Sequence, residues 1–121
     1  MTDERLQILL FQIRDVAGEI ASFVQGRTKE NLETDLVRER GIAMSLMILG
    51  ELVTRIGTRS PDFVSSHPDV PWAKIRGFRN VLAHNYFGLE SGTIWEAATV
   101  SVPALLLSLS DALPPDPQSG S

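Results

Sequence analysis

Apolar side chains recur every three or four positions along four segments of the chain, which is the spacing of a helix with one buried face. The first segment spans residues 3–25; Thr2 or Asp3 can cap its start, and Gly26 is expected to end it. A polar stretch at 28–34 is expected to form one helical turn. The expected core positions of the first helix are Leu6, Leu9, Ile13, Val16, Ile20 and Phe23.

The second segment runs from about Asp35 to Ile56, and Gly57 is expected to end it. Gly41 and Gly50 lie inside this predicted helix, where a glycine costs up to about 1 kcal/mol relative to alanine. We therefore expect a neighbouring backbone to approach the helix closely at these two positions. The expected core positions are Leu36, Ile42, Leu46, Leu49, Val53 and Ile56.

Three prolines within residues 60–71 predict a connector with at most one helical turn. Pro71 is expected to open the third helix, because the N–H that proline lacks is not needed there. This helix is expected to end near His84. Its core face is expected to carry Trp72, Ile75, Phe78 and Leu82, a stripe whose helical spacing favours packing over stacking against RNA bases.

A turn is predicted at Gly88, Ser91 and Gly92, followed by a fourth helix from Thr93 to about Leu113 that Pro103 should kink. The chain shows neither an internal repeat nor an alternating apolar pattern. The sequence therefore predicts an all-α fold, an up-and-down bundle of four main helices plus a short connector turn. Residues 1–113 are expected to form this single domain and residues 114–121 a disordered tail. The expected core positions of the fourth helix are Ile94, Ala97, Ala98, Leu105 and Leu109.

Composition excludes several classes of function. The chain of 121 residues has no cysteine, so disulfides, thiolate metal sites and a cysteine nucleophile are excluded. With two histidines and no clustered pair of carboxylates, no metal site is expected, and His67 in the connector is expected to be an exposed loop residue. Phosphate loops, nucleophile elbows and calcium loops are also absent. Because neither a signal peptide nor a run of ~20 apolar residues is evident, we expect a cytoplasmic protein without a membrane anchor.

Charge is distributed unevenly along the chain. The net charge is −4, yet residues 38–84 hold seven basic and four acidic side chains, or +3, and the remainder holds four basic and eleven acidic, or −7. This basic middle region, which includes Lys74 and Arg76, could attract phosphate groups locally. A solvated helix face explains such charges about as well.

The stretch RNVLAHNYFG at 79–88 concentrates candidate chemistry. Arg79 and His84 are five positions apart, so on one helix they differ by about 140° around the axis and do not stack. They could still share a cleft if the helix ends at His84 or if a second copy packs across a two-fold axis. Alternatively, Arg79 is solvated, His84 caps the helix end and Tyr86 packs its ring at the end of the bundle.

The pattern Arg79, four intervening residues, His84, one residue and Tyr86 resembles the signature of the HEPN superfamily, and within it the HepT-like toxins of type VII toxin–antitoxin pairs. The resemblance extends to VPWAKIRGFRNVLAHNYFG, ILGELVTRI and TIWEA, and so covers the chain from residue 3 to about 113. It implies a HEPN-like helical bundle that forms a homodimer, with the active site between two signature helices.

The resemblance also implies a metal-independent ribonuclease that needs no cofactor. His84 would move protons to and from the ribose 2′-hydroxyl and the leaving 5′-oxygen, and Arg79 would hold the scissile phosphate. Such transesterification leaves a 2′,3′-cyclic phosphate. Asn80 is a supporting candidate, with a plain surface amide as the equal alternative, and Lys74 and Arg76 are candidates for RNA binding. Transfer RNA is the substrate that the family suggests.

In HepT-like systems a nucleotidyltransferase antitoxin transfers AMP to the signature tyrosine, which here is Tyr86. Added phosphates would repel RNA and fill the cleft. The alternative hypothesis is a non-catalytic helical dimer that binds and regulates a nucleotidyltransferase partner.

Overall fold

The computed structural model describes residues 3–113, and these are all-α, as predicted. Thr2 and the predicted tail at 114–121 lie outside the described residues. Four long helical segments form the bundle, together with two short helices and one 3-10 turn. The elements are α1 (Glu4–Val24), α2 (Lys29–Thr34), α3 (Leu36–Arg59), α4 (Pro61–Ser66), α5 (Trp72–Asn85), the 3-10 turn Tyr86–Gly88, α6 (Ser91–Glu96), a π-helical segment (Ala97–Ser101) and α7 (Val102–Ser108).

Helix α3 is central, because it packs against α1 and against α5. Its predicted core residues from Ile42 to Ile56 are buried, but Leu36 is 54% exposed and the prediction for that residue was wrong. By length and composition α3 could cross a membrane, with a mean hydropathy of 1.3. Half of that stretch is buried inside the fold, so its apolar character is that of the central helix of a bundle.

Local sequence explains the ends of the first helices. The Asp3 carboxylate accepts hydrogen bonds from the amides of Arg5 and Leu6 and caps α1, and Gly26 follows the helix with a positive φ of 71°. Gly57, in contrast, does not end α3, which continues to Arg59. The helix stops at Ser60 because the residue before a proline disfavours helical backbone angles.

The connectors are more helical than predicted. Residues 61–66 form α4, which exceeds a single turn, and Ser91 and Gly92 begin α6 instead of lying in a turn. Near Pro103 the fourth segment becomes a π-helix, in which the Val102 amide donates to the Ala97 carbonyl five residues back. Proline cannot donate the regular helical hydrogen bond, and a widened turn is a common way to accommodate such a break.

Candidate active site

Helix α5 can pack closely against α3 because Gly50 of α3 has no side chain. A β-carbon at Gly50 would lie 3.0 Å from the amide nitrogen and from the β-carbon of Arg79, and 3.1 Å from the carbonyl oxygen of Ile75. This contact confirms the close backbone approach predicted at Gly50. At Gly41 the neighbour is instead the ring of Phe23 at 3.5 Å, so the prediction was wrong there. The tight crossing at Gly50 fixes the backbone position of Arg79.

The side chain of Arg79 is 51% exposed, and its guanidinium forms an ion pair with Glu51, with 2.9 Å between Nη1 and Oε2. The other oxygen of the same carboxylate accepts a hydrogen bond from Nε of Arg55 at 3.1 Å. Glu51 therefore holds two arginines from two helices at one surface. Since Arg79 keeps half of its surface in solvent, it can also bind a phosphate.

His84 lies in the last turn of α5 and is exposed. Within residues 3–113 its side chain makes no hydrogen bond and no ion pair, so it does not cap the helix end through a hydrogen bond there. Because Arg79 and His84 lie on the same regular helix, they differ by about 140° around its axis, and one chain alone does not bring them together.

Asn80 lies between these two residues on the helix surface. It is four residues before His84, the spacing of neighbours on one helical face, and adjacent in sequence to Arg79. Arg76 precedes Arg79 by three residues and is likewise its neighbour, whereas Lys74 points about 140° away from Arg79. The polar side chains of Arg76, Arg79, Asn80 and His84 thus lie within one arc of about 140° on α5, here called the polar arc, and Lys74 lies outside it.

Tyr86 follows α5 in the 3-10 turn and is partly buried. Its hydroxyl donates a hydrogen bond of 3.0 Å to Oε1 of Glu39, and the hydroxyl of Ser91 donates to the second oxygen of that carboxylate. Burial of the phenol, together with the hydrogen bond to Glu39 and its negative charge, raises the pKa of Tyr86. The ring also packs edge to face against Phe87, with 5.6 Å between centroids.

The connector histidine, His67, is a structural residue and is less exposed than predicted. Its Nδ1 lies 3.0 Å from the carbonyl oxygen of Phe63, and its Nε2 lies 3.2 Å from the Asp111 carboxylate. These contacts join α4 to the end of the last helix. No cluster of three or more potential metal ligands occurs in the described part of the chain. The predicted stripe on α5 belongs to the core, since Ile75 and Leu82 are buried and Trp72 and Phe78 pack against them.

Sequence reasoning missed the two carboxylates that anchor the candidate residues, Glu39 and Glu51. Both lie on α3, at distances of 47 residues from Tyr86 and 28 residues from Arg79 along the chain. The only available signal was the position of Glu51 directly after Gly50. Glu39 carries no local signal, because it occurs in a charged segment where any solvated side chain would fit.

Comparison with known proteins gives a consistent set of relatives. A family model described as "Ribonuclease HepT-like" matches residues 13–111. A protein of Caldanaerobacter subterraneus, named as a candidate RNase, is 37% identical over 82 residues, which cover 68% of this chain and 70% of that protein. Another candidate RNase, from Methanocaldococcus jannaschii, is 27% identical over 103 residues, which cover 85% of this chain and 83% of that protein.

A third relative, from Thermococcus cleftensis, is named "Probable ribonuclease HepT". It is 27% identical over 96 residues, which cover 79% of this chain and 84% of that protein. No solved structure matches the chain.

Proposed function

Since this chain belongs to the HepT-like ribonuclease family, we propose that it cleaves RNA without a bound metal, with Arg79 and His84 as catalytic residues. The observation that carries the proposal is the exposed polar arc of α5, in which Asn80 separates Arg79 from His84. Both catalytic candidates are open to solvent, and neither is needed to fill the core. The RNA would be bound in the cytoplasm, and transfer RNA is the candidate substrate.

The reaction we propose is an intramolecular transesterification. The ribose 2′-oxygen attacks the adjacent phosphorus, the bond from phosphorus to the 5′-oxygen breaks, and the products are a 2′,3′-cyclic phosphate and a 5′-hydroxyl. One histidine ring takes the proton from the 2′-hydroxyl, and a second delivers a proton to the leaving 5′-oxygen. Arg79 stabilises the charge that develops on the phosphate oxygens.

A homodimer supplies the second histidine, because one helix cannot direct Arg79 and His84 at the same phosphate. Two copies of α5 related by a two-fold axis would place His84 of one protomer opposite Arg79 of the other. Exposed apolar side chains of α3, α5 and the 3-10 turn support such an interface. The exposed fractions are 57% for Met44, 40% for Ile48, 47% for Val81 and 92% for Phe87.

We further propose that the protein is the toxin of a toxin–antitoxin pair and that a nucleotidyltransferase antitoxin adenylylates Tyr86. The phenol oxygen attacks the α-phosphorus of ATP, pyrophosphate leaves, and the phenol proton is released. Glu39 is suitably placed to accept that proton, since it already accepts the hydrogen bond from Tyr86. The AMP group adds negative charge near the RNA site and blocks access to it.

The decisive experiment compares the two histidines of the chain. His84→Ala should abolish cleavage of cellular RNA in EDTA-containing buffer, a loss of at least about 10²-fold, while the protein keeps its stability. His67→Ala is the matched control; it should lower the unfolding temperature, because His67 joins α4 to Asp111, yet retain cleavage below that temperature. Undiminished cleavage by His84→Ala would overturn the assignment.

The second candidate function is a non-catalytic dimer that binds the nucleotidyltransferase. The observation that favours it is Phe87, which is 92% exposed next to Tyr86 and offers a protein partner a large apolar contact. On this hypothesis the unmodified wild-type protein leaves RNA intact in the same assay but forms a stable complex with the partner. Intact mass measured after incubation with the partner and ATP tests the modification, with Tyr86→Phe as the variant that should gain no AMP.

A further inference from the structure

A groove of about 600 Å³ lies between the first half of α1 and the last half of α3. It is distinct from the polar arc, which α5 alone provides. Most of its polar lining consists of hydrogen-bond donors, and the side chain of Ile8 at its edge is 56% exposed. The lining residues are Arg5, Ile8, Leu9, Gln12, Glu51, Thr54, Arg55, Thr58 and Arg59.

Three arginines give this groove its charge. Arg55 and Arg59 come from the end of α3, and Arg5 comes from the N-terminal region that is acidic in sequence, so only the fold brings the three together. Glu51 is the one acidic residue of the lining, and Asp3 lies 3.6 Å from Arg59 at the edge. The Arg55 side chain is 63% exposed. Exposed ion pairs of this kind contribute little to stability, so a phosphate can replace the carboxylate as the partner.

Glu51 links the groove to the proposed active site. Its Oε1 accepts from Arg55, which lines the groove, and its Oε2 accepts from Arg79 on α5. From Glu51 to Arg59 the α3 axis advances by about 12 Å, at ~1.5 Å per residue. Over this length the groove presents Arg55 and then Arg59, so a strand whose phosphate is held at Arg79 can meet two further guanidinium groups of α3.

We propose that the α1–α3 groove binds the single-stranded RNA backbone adjoining the scissile phosphate, with Arg5, Arg55 and Arg59 as phosphate ligands. The proposal rests on the proposed function in one respect: Arg79 holds the scissile phosphate from which the strand continues. Ile8 supplies an apolar surface for a ribose or base. The three arginines thus give a protein of net negative charge a local surface that attracts the phosphates of RNA.

The test measures binding, so it does not depend on cleavage. A dodecanucleotide with 2′-O-methyl groups on every ribose cannot undergo transesterification and keeps all its phosphates; its affinity is measured by fluorescence anisotropy over a range of salt concentrations. In the double variant Arg55→Ala/Arg59→Ala we expect the Kd to rise by about threefold to fivefold per arginine. The slope of log K against log salt should fall by about 1.4, at ~0.7 for each lost contact with a single strand.

Two controls make the result specific. Arg27→Ala removes one positive charge beyond the other end of α1, where Arg27 does not line the groove, and should leave the Kd and the slope within error of wild type. A 2′-O-methyl dinucleotide, too short to reach from Arg79 to Arg59, should bind wild type and the double variant equally. The proposal is overturned if the double variant binds the dodecanucleotide like wild type, or if Arg27→Ala loses as much affinity.

The proposed function can fail separately. If wild type binds the dodecanucleotide through the groove but no cellular RNA is cleaved, the catalytic assignment fails and the groove stands. If His84→Ala abolishes cleavage but the groove variants bind normally, the groove fails and the catalytic assignment stands.

Discussion

Gly50 of α3 and Arg79 of α5 are in direct contact: a β-carbon at Gly50 would lie 3.0 Å from the Arg79 amide nitrogen. The next residue of α3, Glu51, binds the guanidinium of the same arginine. One dipeptide therefore fixes both the backbone and the side chain of the proposed phosphate ligand. The packing of the bundle and the orientation of Arg79 depend on the same helix crossing.

Gly50→Ala is expected to destabilise the protein by about 1–3 kcal/mol, because α3 and α5 must separate to admit the methyl group. Cleavage should fall as well, since the movement displaces Arg79. Gly57→Ala on the same helix is the matched control: its β-carbon would meet nothing within 4 Å, so up to about 1 kcal/mol of additional stability is expected. Denaturant unfolding should show a lower free energy of unfolding for Gly50→Ala and a higher one for Gly57→Ala. An unchanged free energy of unfolding for Gly50→Ala would contradict the packing argument.

Glu51→Gln should separate binding from turnover. Removal of the negative charge releases Arg55 and Arg79 for phosphate, so RNA should bind more tightly. The rate at saturating RNA should nevertheless fall by about tenfold, because Arg79 loses the partner that orients it. Stability should change by less than about 1 kcal/mol, as for other exposed pairs.

Single-turnover kinetics and unfolding curves measure these three quantities for Glu51→Gln. Glu33→Gln, an exposed residue of α2 with the same charge change, is the control and should alter none of them. Weaker RNA binding by Glu51→Gln would show that Glu51 does more than compete with phosphate.

Tyr86 should ionise above the ordinary pKa of a phenol, because burial and Glu39 favour its neutral form. Since it is the only tyrosine of the chain, the rise of phenolate absorbance on alkaline titration reports this residue alone. The folded state binds the proton more strongly than the unfolded state does. The contribution of Tyr86 to stability is therefore complete below the unfolded pKa near 10 and is lost as pH rises through the higher folded value.

Glu39→Gln should lower the pKa of Tyr86 toward its ordinary value while leaving a hydrogen-bond acceptor in place. Glu33→Gln should have no effect on the titration. A titration curve for Glu39→Gln that coincides with wild type would contradict the role assigned to the carboxylate.

Asn80 should reveal whether the polar arc of α5 contacts RNA. Asn80→Asp places a negative charge between Arg79 and His84 and should weaken RNA binding about tenfold, whereas Asn80→Ala should slow cleavage with little effect on stability. Gln25→Glu makes a similar neutral-to-acidic change at the exposed end of α1 and serves as the control. Normal RNA binding by Asn80→Asp would favour the plain surface amide.

The bundle and helix α5 could be predicted from sequence because both depend on local spacing. The stripe from Ile75 to Leu82 and the buried positions of α3 follow directly from the helical period. The end of α3 was misplaced because glycine only weakens a helix, whereas Pro61 stops it at Ser60. Glu39 could not be found, since its partner is 47 residues away and pairing at that distance depends on the packing of α3 against the end of α5.

The π-helical segment Ala97–Ser101 has a consequence for comparing this chain with its relatives. A π-turn is in effect one extra residue within an α-helix. Ile94 before the π-helical segment, Ala97 and Ala98 at its start, and Val102, Leu105 and Leu109 after it are all buried, and the extra residue offsets the helical register of the last three from that of Ile94. A homologue with a regular helix here is expected to be shorter by one amino acid, so the gap in an alignment would fall inside the last helix.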